Sequence, residues 1–71
     1  MIEFTNPSER IDLNEANEDR LERDLGLNPG LSKAIVAYRH REGRFAALAE
    51  LLNVPGFTAQ LLRSLRPRIL I

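Results

Sequence analysis

Apolar residues recur along the chain in short helical rhythms that break at glycine. Leu21 and Leu25 sit four apart among Arg20, Glu22, Arg23 and Asp24, the pattern of a helix with one buried stripe. Its start is expected at Asn17, whose short side chain can accept from the exposed backbone donors. Glu18 and Asp19 follow in the first turn, where the macrodipole favours anions, and Gly26 is expected to stop the helix. A second helix is expected to open just after Asn28 with Pro29 in its first position, where the missing donor would have been an orphan anyway. Leu31, Ala34, Ile35 and Tyr38 trace one face of it, and Gly43 ends it.

Phe45 is expected to fold back as a plug in the core. A short third helix near residues 47–52 turns Leu48, Leu51 and Leu52 inward, and no Ser, Thr, Asp or Asn precedes it to cap its start. Asn53-Val54-Pro55-Gly56 breaks the chain again. Thr58 then caps a fourth helix, in which Leu61, Leu62 and Leu65 point to the core and which Pro67 ends. Ile69-Leu70-Ile71 reads as an extended apolar tail that returns to the core beside Ile11 and Leu13.

Displacing the sequence by 30 positions aligns it with itself: Leu21 falls on Leu51, Gly26 on Gly56, Leu27 on Phe57, Leu31 on Leu61, Lys33 on Arg63 and Ile35 on Leu65. Helix, tight turn and helix are therefore written twice, over about 17–41 and 47–66, within one domain spanning 11–71. Residues 1–10 are expected to be a flexible N-terminal extension.

Composition narrows the class further. A chain of 71 residues is one small domain, which at this size hides only about 60% of its extended-chain surface. With no Cys and one His, neither a disulfide framework nor a soft-ligand zinc site is expected, so packing must hold the fold. No apolar run approaches the roughly 20 residues that span a bilayer, and the first residues lack the basic and apolar regions of a secretory signal. The default expectation is a cytoplasmic domain that does not insert into a membrane.

The net charge of zero conceals a dipole. Residues 1–27 carry eight acids and three bases, whereas residues 28–71 carry seven bases (Lys33, Arg39, Arg41, Arg44, Arg63, Arg66 and Arg68) and two acids. One reading offers the C-terminal part to an anionic partner; the other has the two charged halves neutralise each other across the fold.

Ile11-Asp12-Leu13-Asn14-Glu15-Ala16, Leu25-Gly26-Leu27-Asn28-Pro29, Ile35-Val36-Ala37-Tyr38-Arg39 and Leu51-Leu52-Asn53-Val54-Pro55-Gly56, in this order, resemble the tandem helix-hairpin-helix domain of competence DNA receptors. The resemblance runs from Ile11 to Ile71. It implies an all-α, SAM-like domain of four short helices, two helix-hairpin-helix units about a pseudo-two-fold axis, and weak sequence-independent binding of double-stranded DNA. Physically, a tight glycine turn aims backbone donors outward while the next helix presents its positive end to the same spot. A phosphate oxygen fits there without any base being read.

Carried onto this chain, the resemblance marks Gly26, Leu27, Asn28 and Gly30 in the first hairpin and Gly56, Phe57 and Thr58 in the second, with Lys33, Arg63 and Arg66 adding charge-assisted phosphate contacts. The family pattern is glycine, apolar, glycine, and both second glycines are replaced here. Asn28 can still adopt the left-handed conformation at modest cost in one place, and Thr58 is expected to act as an ordinary cap in the other. Similar units also resemble parts of a type II secretion pseudopilin and an extrinsic photosystem II subunit, where protein contact is the implied task. The alternative is therefore a protein-interaction or scaffold module whose opposite charged ends allow head-to-tail oligomers.

The remaining candidates have plainer readings. His40 is expected to be a helix-end cation, and Glu18, Asp19, Glu22 and Asp24 a solvated face rather than a cation site. Tyr38 lies on the apolar stripe, and Phe57 is expected to tuck beneath its turn. Ser8, Ser32 and Ser64 have no base placed beside them by any motif, so no catalysis, metal or cofactor is expected.

Overall fold

The computed structural model describes residues 10–71. Helix α1 (Glu18–Leu25) begins at Asn17, whose side chain accepts from the Arg20 N–H at 2.8 Å, and closes at Gly26. Helix α2 (Pro29–Glu42) begins at Asn28 and closes at Gly43. A 3₁₀ helix (Leu48–Asn53) stands third, and α3 (Ala59–Leu65), capped by Thr58, stands fourth. The architecture is all-α, two helix-turn-helix pairs in sequence, with one short strand at each end of the described chain.

Those strands close the domain. β1 (Ile11–Asp12) pairs in parallel with β2 (Ile69–Leu70), Ile11 opposite Ile69 and Asp12 opposite Leu70, and the Leu13 N–H donates to the Leu70 carbonyl at 2.9 Å. The pairing is the return of the tail beside Ile11 and Leu13 that its apolar composition predicts, and it leaves Ile11 and Ile69 buried. Of the extension expected over residues 1–10, residues 1–9 lie outside the described residues. Arg10 is exposed and donates its Nε–H to the Pro67 carbonyl at 3.4 Å.

One core serves both units. Leu21, Leu25, Leu31 and Ile35 enter it from the first pair and Leu51, Val54, Phe57 and Leu65 from the second, with Leu13 and Phe45 between them. Each such side chain contributes roughly 1.5–3 kcal/mol by leaving water. Phe45 is the expected plug: it is buried and stacks on Tyr38 with ring centroids 5.0 Å apart. Asn14 fixes its backbone, the side-chain amide donating to the Phe45 carbonyl at 3.1 Å while its oxygen accepts the Phe45 N–H at 2.7 Å.

Two expectations are corrected. The third helical segment is 3₁₀ rather than α, and Leu52 points outward, 45% exposed. With three residues per turn, Leu48 and Leu51 eclipse each other on the inner side, and Leu52 is carried about a third of a turn away. On an α-helix all three would have shared a face. At the other end, Pro67 does not stop the chain at once. Helix α3 passes into a 3₁₀ turn (Arg66–Arg68) in which Pro67 lies in the first turn, where its missing N–H has no bond to lose.

Candidate nucleic-acid interface

The first hairpin is Gly26-Leu27-Asn28. Gly26 has φ 72° and ψ 23°, the left-handed conformation that only glycine adopts without steric cost, and its N–H donates to the Glu22 carbonyl at 3.0 Å to finish α1. The Leu27 side chain is buried beneath the turn. Asn28 is not left-handed: its φ of −76° and ψ of 160° are extended, and its Oδ1 accepts the Leu31 N–H at 2.8 Å as the N-cap of α2. Pro29 is the cause, because a residue before proline is driven to extended backbone, which is also what an N-cap requires. Gly30 lies in the first turn of α2, where a Cβ would come 3.4 Å from Asn28 Oδ1. Asn28 and Gly30 are exposed, and their backbone N–H groups have no acceptor among the described residues.

The second hairpin reaches a similar outline by another route. Val54, Pro55, Gly56 and Phe57 form a turn closed by the Phe57 N–H on the Val54 carbonyl at 3.0 Å, with Gly56 at φ 89°. Proline followed by a positive-φ glycine is the type II signature. Phe57 is buried, so it tucks as its apolar character predicts. Thr58 is extended at φ −115° and caps α3, its Oγ1 accepting the Leu61 N–H at 3.1 Å. Gly56, Thr58, Ala59 and Gln60 are exposed, with no acceptor for their N–H groups among the described residues. A Cβ on Gly56 would lie 3.7 Å from Leu31 Cδ1, which places the second turn against the start of α2 and the two hairpins side by side.

The cations of residues 28–71 divide by what already occupies them. Arg39 is withdrawn from any surface stripe, because its Nη1 donates to the Leu13 and Ala16 carbonyls, both at 2.7 Å. Arg68 donates to the Asp24 carbonyl at 2.8 Å, at the end of α1. Arg41 lies 3.1 Å from Glu42 and over the Tyr38 ring, and Arg44 lies 3.7 Å from Glu15. Lys33, Arg63 and Arg66 are exposed and have no acidic partner among the described residues.

The acids of α1 are also partly committed, Asp24 to Arg20 at 2.6 Å and Asp19 to Arg23 at 3.6 Å. Glu22 is different: its Oε2 lies 2.7 Å from the Oγ of Ser32, a buried residue whose Oγ is also 3.0 Å from the Pro29 carbonyl. Sequence reasoning missed this bond and the anchoring roles of Arg39 and Asn14. Residue spacing holds no sign of the last two, since their partners lie 23–31 positions away along the chain. His40 is exposed near the end of α2, and no group of three or more His, Asp or Glu that could hold a metal occurs among the described residues.

With two such turns side by side in one all-α domain, the class is defined. The family profile described as the helix-hairpin-helix motif matches residues 6–70, and the chain belongs to that family. No curated protein matches it. Among the described residues, no helix is long and apolar enough to cross a membrane.

Proposed function

We propose that this domain binds double-stranded DNA weakly and without regard to sequence, through phosphate contacts at its two hairpins. The observation that carries the reading is the coincidence on one family scaffold of exposed turn residues whose amides have no acceptor and three cations, Lys33, Arg63 and Arg66, that have no acidic partner, both among the described residues. Gly30, Asn28, Gly56 and Thr58 supply the amides. Leu27 and Phe57, with their side chains in the core, and Gly26, with its N–H spent on α1, shape the turns instead. Backbone amides and cationic side chains hold phosphate without reading bases.

The domain acts as a binding module and not as a catalyst. Ser32, whose hydroxyl lies beside the Glu22 carboxylate, is buried and bonded within the scaffold. Resemblance to competence DNA receptors supports duplex DNA as the partner class. A second reading, protein contact, is favoured by the exposed Leu52, Leu70 and Ile71.

Titration of unrelated duplexes by fluorescence anisotropy at two salt concentrations separates the readings. Under the DNA reading, all sequences bind alike with Kd of about 10⁻⁴ to 10⁻⁶ M near physiological salt and tighter below it. No retention of any duplex at low salt overturns it in favour of the protein-contact module.

A further inference from the structure

We infer, resting on the DNA reading above, that Glu22 is a built-in restraint on DNA affinity: its carboxylate disfavours phosphate at the first hairpin, so that the second unit carries most of the contact. The geometry that supports this is local. Glu22 is tied to both sides of the first hairpin, its carbonyl accepting the Gly26 N–H at 3.0 Å and its Oε2 lying 2.7 Å from Ser32 Oγ in α2. Ser32 is fully buried, and its own N–H donates to the Asn28 carbonyl at 3.0 Å, so the carboxylate is held against the turn rather than swinging freely in solvent. Unlike Asp19 and Asp24, it has no cationic partner among the described residues. A phosphate approaching Asn28, Gly30 or Lys33 therefore meets an anion that the scaffold does not neutralise.

The internal repeat supplies the contrast. At the offset of 30, Glu22 corresponds to Leu52 and Ser32 to Leu62, so the second unit has apolar residues where the first has a carboxylate and its hydroxyl. From Gly56 to the last residue the sequence contains no Asp or Glu and three arginines. Val36 of α2 corresponds to Arg66, which adds a cation in the second unit that the first lacks. Repulsion between unit charges several ångströms apart at a protein surface amounts to a few-fold in affinity at low salt and fades as ions screen it.

The test measures anisotropy of a labelled mixed-sequence duplex with the full chain, Glu22→Gln and Glu18→Gln. Gln retains an oxygen to accept from Ser32. Glu18 lies one turn earlier on α1, so its substitution changes net charge equally at a greater distance from the hairpin. Glu22→Gln is expected to tighten binding by about three- to tenfold at low salt, Glu18→Gln by less than half as much, with the difference shrinking as salt rises. Equal tightening in the two variants, or none at Glu22, overturns the inference while leaving DNA binding intact. Absence of binding by all three chains overturns the DNA reading and the inference together. If Glu22→Gln fails to fold by circular dichroism, Glu22→Leu, which copies the repeat's own choice at position 52, takes its place with the same expected tightening.

Discussion

The two helix-hairpin-helix units share a template and differ in what holds them. In the first, two α-helices are joined by a hydrogen-bonded pair, Glu22 with Ser32, and α2 reaches out through Arg39 to two carbonyls of the N-terminal loop. In the second, a 3₁₀ helix and a short α-helix are packed by Leu51, Val54, Phe57 and Leu65, and the tail holds the same N-terminal segment through the pairing of Ile69 with Ile11. Arg39 and Ile69 stand at equivalent positions of the repeat, so a guanidinium and a strand do one job on the two sides of the molecule. Where a unit is held by a cationic side chain, that cation is spent on the scaffold, as Arg39 is. Where it is held by apolar ones, Arg63 and Arg66 are left to the solvent and to an anionic ligand.

The largest effect expected from breaking this comparison is on stability. Arg39→Ala removes two charge-assisted hydrogen bonds and leaves the Leu13 and Ala16 carbonyls without that donor. Bonds of this kind contribute about 1.5–3 kcal/mol, and in a domain of this size a destabilisation of about 2 kcal/mol corresponds to a fall in Tm of roughly 8–16 °C. Thermal unfolding followed by far-ultraviolet circular dichroism checks it. A fall of only a degree or two would mean that the strand pairing alone secures the N-terminal segment.

The next effect is on DNA. Arg63→Ala combined with Arg66→Ala removes two unpaired cations from the second unit, and giving up each phosphate partner should flatten the dependence of log K on log salt by about 0.9. The pair is expected to lower the slope by about 1.8 and to weaken every duplex by about tenfold. Lys33→Ala, its counterpart in the acid-bearing first unit, should lower the slope by less than about 0.9. An equal weakening per cation in the two units would abolish the functional half of the comparison while preserving DNA binding.

Much of the scaffold is legible in the sequence because its signals are local. Asn17, Pro29 and Thr58 mark helix starts, Gly26 and Gly43 mark ends, and the 30-residue offset announces two units before any tertiary packing is known. Leu52 defeats the pattern because the leucines of residues 48–52 fit an α-helix as well as a 3₁₀ helix, and only the residue that falls on the outer face tells them apart. At Asn28 the glycine of the family pattern leaves the left-handed region open, whereas the proline that follows already favours extended backbone. The candidate site is legible as residue types and not as availability. Nothing in the sequence distinguishes Arg39, spent on two carbonyls, from Arg63, which faces solvent.

The smallest expected effect tests whether the hairpins are equivalent as helix starts. Asn28 and Thr58 occupy the same cap and make the same bond, but Oδ1 of Asn28 lies 2.8 Å from its amide and Oγ1 of Thr58 3.1 Å from its own. Asparagine also ranks above threonine at this position, and removal of such a cap costs about 1 kcal/mol within a range of roughly 0.5–2. Asn28→Ala should therefore destabilise by about 1–1.5 kcal/mol and Thr58→Ala by about 0.5–1, read from urea midpoints at unchanged slope. The order follows from the helices as well as the bonds. Asn28 starts the 14-residue α2, which carries Ile35 into the core and Arg39 to the N-terminal loop, whereas Thr58 starts a seven-residue helix. If Thr58→Ala proves the more damaging, the second hairpin is the stiffer of the two, and its turn amides are pre-set for phosphate by the cap rather than by the type II turn alone.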